Sequence, residues 1–204
     1  MNKQQKVIQQ LSDKQIYHHV LLTQLILIVI AVVLGIFLFQ DFQSFLTVLK
    51  LDFFVVLIGV VAGLLVVTID IWLMKALPKH YYDDGGVNKK LFSSLSPAKI
   101  AFLTLCIAIS EEVLFRGVIH TNSGIVVASF VFAFVHFRYF AHWFLALNIL
   151  ILSFFIGGIY EWTESLWATI ILHFIVDCIL GLYLLKLSRH NKREEGESHE
   201  TRSI

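Results

Sequence analysis

Apolar residues dominate this chain in long runs, and polar ones are confined to short interruptions between them. Runs of about 20 residues, enough to cross a hydrocarbon core of roughly 30 Å, can be read six times. The spans are Val20 to Phe39, Phe53 to Leu73, Pro97 to Ile119, Gly124 to Tyr139, Trp143 to Tyr160 and Leu166 to Leu187. The fourth is the shortest. The pattern predicts an all-α, polytopic transmembrane helix bundle of about six spans. Residues 1–19 form an N-terminal segment, 20–187 the helical domain and 188–204 a charged, disordered tail. Val20 to Phe39 is too long for the apolar core of a cleavable signal and lacks a small-residue cleavage site, so it reads as a true first span.

Composition agrees with the pattern. Of 204 residues 57% are hydrophobic, and the mean hydropathy of +0.77 exceeds what a soluble core of this size buries. Charge then orients the bundle, because Lys and Arg collect on the cytoplasmic side. Placing both termini in the cytoplasm puts 14 of the 16 basic residues inside, all but Lys50 and Arg116. Asp41, Asp52, Glu161 and Glu164 fall on the outer connections. The implied setting is the cell membrane, with lipid as the chain's first partner and no role in nucleic-acid binding.

Only two prolines punctuate the chain. Pro78 closes the second span, and Ser96-Pro97 is a cap followed by a first-turn proline opening the third. Between them, "KHYYDDGGVNKKLFSSLS" is the one long polar loop, expected to be a solvated connection lying partly on the headgroups. Cys106 and Cys178 both fall inside spans, which argues against a disulfide framework.

Against this background, "ISEEVLFRG" puts Glu111, Glu112 and Arg116 within a span, where each ionisable group costs about 2.5 to 3.5 kcal/mol even on permissive insertion scales. Glu112 and Arg116, four apart, share a helix face, while Glu111 points about 100° away. A structural ion pair would explain Glu112 with Arg116 but not Glu111. His136 ends "FVFAFVH", one turn after Phe132, and "HFIVD" sets His173 and Asp177 four apart. A carboxylate, two imidazoles and a second carboxylate are the inventory of a hydrolytic site if the helices converge. With these spans Glu111, Glu112 and His173 lie roughly 12 to 14 Å from the outer ends of their helices at about 1.5 Å per residue, whereas His136 comes out deeper. Asp70 is assigned no chemistry. No His-Glu-x-x-His helix, paired aspartate motif or Gly-x-Ser-x-Gly elbow is present.

Glu111-Glu112-x-x-x-Arg116, then Phe132-x-x-x-His136, then His173-x-x-x-Asp177, in that order on successive apolar helices, resemble the motifs of the CPBP intramembrane proteases. These are the CAAX protease and bacteriocin-processing, or Abi, enzymes, which include the type II CAAX prenyl endopeptidases. "FFIGGIYEWTESLWATIILHFIVD" is similar to the family's pattern ahead of the last histidine, and the likeness covers about Pro97 to Leu187. The resemblance implies an intramembrane endopeptidase acting on a membrane-associated peptide or protein. Glu111 would be the general base toward water, supported by Glu112 and held by Arg116, with His136 and His173 positioning the water and stabilising the oxyanion. Asp177 stands where prenyl endopeptidases usually carry asparagine. An ionised aspartate orients His173 but cannot donate to an oxyanion.

Two chemistries stay open. Glu111, His136 and His173 are ligand types for Zn²⁺, in keeping with the family's metalloprotease label. A metal-independent glutamate mechanism is favoured. The rivals are a noncatalytic Abi-like partner, serving bacteriocin immunity or sensor-kinase scaffolding, and a small transporter. A transporter is disfavoured by the lack of paired repeats or broken helices.

Overall fold

Helix after helix starts on a residue able to cap it. Ser12 and Gln15 exchange hydrogen bonds as a capping box ahead of α1, Asp13–Leu38. Asp41 accepts from Ser44 N–H at the start of the short α2, Phe42–Leu46. Asp52 accepts from Val55 N–H ahead of α3, Phe53–Ala76. Ser96 and Pro97 open α6, Pro97–Glu112, as expected. Each polar cap satisfies N–H groups that have no partner inside the helix. The computed structural model describes residues 10–39 and 41–201 and shows no strand among them.

After α6 the chain continues as a π-helical segment, Val113–His120, and then α7, Thr121–Val135. A 3₁₀ turn, Phe137–Ala141, leads to α8, Trp143–Thr163, and α9, Leu166–Thr201. Five stretches are long and apolar enough to cross a membrane: Asp13–Leu38, Phe53–Ala76, Pro97–Val135, Trp143–Thr163 and Leu166–Asn191. The chain is a multi-pass membrane protein.

The sequence reading divides Pro97–Val135 into two spans separated after Ile119. The structure has no loop there. Helical residues run on, and the reversal falls on Gly124, whose φ of 80° and ψ of 169° lie in a region essentially reserved for glycine. Phe115 and Phe132 show the consequence: their ring centroids are 5.0 Å apart, where a straight helix would separate them by about 25 Å. Glu111 thus lies thirteen residues before the turn and His136 twelve after it, which brings them to one depth. The apparent depth mismatch came from ending the third span four residues early.

The bundle core is α3 against α9. At Gly59 an added Cβ would sit 2.7 Å from the Ala168 carbonyl oxygen, so only glycine lets the backbones approach this closely. At the Gly124 end, Lys50 pairs with Glu164 at 2.9 Å. The lysine holds that carboxyl below the usual range.

One further expectation is corrected. The polar loop folds into α4, Lys79–Tyr82, and α5, Val87–Ser93. Leu91, Phe92 and Leu95 pack there with Ile16, Ile100, Leu103 and Leu185, because the loop's few apolar residues recur at helical spacing. The helix α9 runs through to Thr201. Residues 1–9, with Lys3 and Lys6, and 202–204 lie outside the described residues. Cys106 and Cys178 are free and half-buried.

Candidate active site

Three segments of unlike sequence meet where the Gly124 hairpin closes against α8 and α9. Glu111 and Glu112 end α6, His136 follows α7, and His173 and Asp177 lie one turn apart on α9. Arg116, in the π-helical segment, sends Nη1 to Glu112 Oε1 at 3.1 Å, the glutamate side chain being 0% and the arginine 1% exposed. Arg116 Nη2 donates to the carbonyl and the hydroxyl oxygen of Ser153 on α8, both at 3.1 Å. Its guanidinium also lies 4.7 Å from the centroid of the Phe132 ring. A buried arginine is tolerated when its donors are matched in this way.

Glu112 Oε1 also accepts from His173 Nδ1 at 2.7 Å. His136 Nδ1 donates to the Phe132 carbonyl at 2.7 Å. With both Nδ1 atoms committed as donors, both rings turn Nε2 toward the same carboxylate and donate from it only when doubly protonated. Glu111 Oε2 lies 3.9 Å from His136 Nε2 and 4.0 Å from His173 Nε2. Asp177 Oδ2 is 3.6 Å from His173 Nε2, too far for a hydrogen bond. His136 and Asp177, with 24% and 29% of their side chains exposed, form the open side, while Glu111 and His173 lie deeper.

These separations carry chemical information. Atoms 3.9 to 4.0 Å apart do not hydrogen-bond each other, but both reach one water at about 2.8 Å. Donors around tetrahedral zinc stand about 3.3 Å apart, given bond lengths near 2.0 to 2.2 Å. Among the described residues no group of three or more His, Cys, Asp or Glu is drawn together to hold a metal. Glu111, His136 and His173 are ligand types for zinc, and the same groups stand within reach of one shared water.

Several neighbours escaped the sequence reading. Ser153 holds Arg116, and its only signal was a small hydroxyl within a span. Gln24 on α1 accepts from Ser110 Oγ at 2.7 Å, next to Glu111. Asp70 on α3 lies within electrostatic reach of Asn148 on α8 and Asp177 on α9.

Residues 93–179 match the family model for type II CAAX prenyl endopeptidase Rce1-like proteins. The chain is also 40% identical over 179 residues to an uncharacterized protein, YpbD, of Bacillus subtilis (strain 168), covering 87% of this chain and 94% of that one. It belongs to the Rce1-like family. No solved structure matches it. The Rce1-like proteins are a protease family, and the matched stretch contains all six residues of the cluster, Glu111 through Asp177.

Proposed function

We propose that this Rce1-like protein is an intramembrane endopeptidase of the cell membrane, with six membrane passes and both termini in the cytoplasm. It hydrolyses a peptide bond in a membrane-associated peptide or protein. The observation that carries this reading is one carboxylate oxygen, Glu111 Oε2, faced by two imidazole Nε2 atoms at 3.9 and 4.0 Å inside a membrane-embedded bundle.

In the proposed reaction Glu111 accepts a proton from a water held between it and the rings. The water oxygen bonds to the peptide carbonyl carbon, and the carbonyl π electrons move onto oxygen. His136 and His173, each protonated on both ring nitrogens in this step, donate from Nε2 to that oxyanion and keep those protons throughout. Collapse restores the carbonyl and breaks the C–N bond as Glu111 returns its proton to the departing amine nitrogen. Glu112, paired with Arg116, fixes the His173 ring through Nδ1, and Asp177 sets the local field without donating.

The test compares membrane proteomes of cells carrying the wild-type protein and Glu111→Gln at equal abundance. An uncut membrane-associated substrate accumulates with the variant. Identical proteomes, with the variant still supporting the phenotype of the wild type, would replace this reading with a noncatalytic partner role.

A further inference from the structure

His136 stands just beyond the end of α7, with φ −88° and ψ 31°, so no helix interior fixes its ring. Its Nδ1 bond to Phe132 leaves rotation about that contact to be limited by packing. Phe132 lies 4.6 Å from the ring centroid, and Tyr139 runs parallel to it, 5° between planes, at 6.1 Å. Aromatic pairs at 4.5 to 7 Å are attractive in offset geometry.

Tyr139 is itself unusually restrained. Its hydroxyl accepts from Arg138 Nη2 at 2.8 Å and from Asn88 Nδ2 at 3.3 Å. The Arg138 guanidinium also lies 4.8 Å from the Tyr139 ring centroid. Arg138 reaches across to the polar segment after α3, meeting Asp84 Oδ2 at 3.3 Å and Asn88 Oδ1 at 3.3 Å. Asp84 is largely buried, its side chain 9% exposed, and it accepts from Asn88 N–H at 3.1 Å. Asp83 accepts from Gly85 and Gly86 N–H, both at 2.9 Å, which shapes the turn presenting Asp84.

We infer that Tyr139 is a positioning residue for His136, and that the turn at 83–86 acts on the site through Asp84, Asn88 and Arg138. The inference rests on the proposed peptidase reading for its catalytic meaning, but not for its geometry. Asp84 and Asn88 carry the strain of any movement of the connecting segment to Arg138, then to the tyrosine hydroxyl, then to the imidazole. His173 has no part in this chain, since its ring is held by Glu112.

The test measures diethyl pyrocarbonate modification of His136 and His173, residue by residue, by mass spectrometry on the full-length protein in lipid nanodiscs. Tyr139→Ala speeds His136 modification by about fivefold, the size of a lost aromatic pair, while His173 is unchanged. Tyr139→Phe keeps the ring but not the hydroxyl bonds and falls between. Asp84→Ala reproduces the effect from a distance, and Asp84→Glu restores the wild-type rate. An unchanged His136 rate in Tyr139→Ala and Asp84→Ala overturns the inference. So does a parallel rise at both histidines, which marks general loosening. Because the readout needs no substrate, either result leaves the peptidase proposal standing, and an inactive site leaves this inference standing.

Discussion

At the scale of single residues, Glu111 and Glu112 are neighbours with different surroundings. Glu112 is enclosed by Arg116 and His173, whereas Glu111, among the described residues, has no Lys or Arg at bonding distance and faces two imidazoles. Arg116→Ala strips a fully buried carboxylate of its cation, and removing one partner of a buried pair costs about 3 to 5 kcal/mol. The expected outcome is a marked fall in thermal stability in detergent together with lost activity. Glu111→Gln removes only the base, so it unfolds near the wild-type temperature and cleaves nothing. Equal destabilisation of both variants would favour a purely structural ion pair. With Glu111 as the base, a further expectation is that cleavage by purified protein survives exhaustive chelation. Stoichiometric tightly held zinc, with activity lost on its removal, would contradict it.

At the scale of elements, the hairpin at Gly124 matters most, because it brings α7 back along α6. A Cβ at this position meets nothing within 4 Å, so the penalty for Gly124→Ala is backbone strain alone, about 1 to 3 kcal/mol. A thermal melt in detergent reads that loss directly. Cleavage per folded molecule falls as well, since relaxation at the turn moves His136 away from Glu111. Stability lowered by that amount with unchanged cleavage would show that the hairpin serves folding only.

At the scale of the whole molecule, the exposed positions 79 and 189 share one end of the bundle, and positions 50 and 164 the other. With both termini cytoplasmic, single cysteines at 79 and 189 in a cysteine-free background react with an impermeant maleimide only after cells are opened. A cysteine at 50 reacts on intact cells. The reverse labelling pattern would invert the proposed orientation.

Sequence by itself determined the helical, membrane-spanning character, because transfer of apolar runs out of water depends on composition and length and hardly on neighbours. The Ser96-Pro97 start and the shared face of Glu112 and Arg116 were legible for a similar reason, since both are local geometry. The order Glu-Glu-Arg, His, His-Asp was visible too, as was its resemblance to the protease family. Tertiary structure decided the rest. The reversal between the third and fourth spans was legible, but its place at Gly124 was not, because helical residues continue from Ile119 up to it, and that placement brings Glu111 and His136 to one depth. Ser153 and Gln24 carried little signal of their own, because their roles consist of contacts with residues 37 and 86 positions away. The loop after Pro78 looked solvated, since hydropathy averages over side chains. Its docking depends on which few of them, Leu91 and Phe92 inward and Asp84 toward Arg138, find partners from elsewhere in the chain.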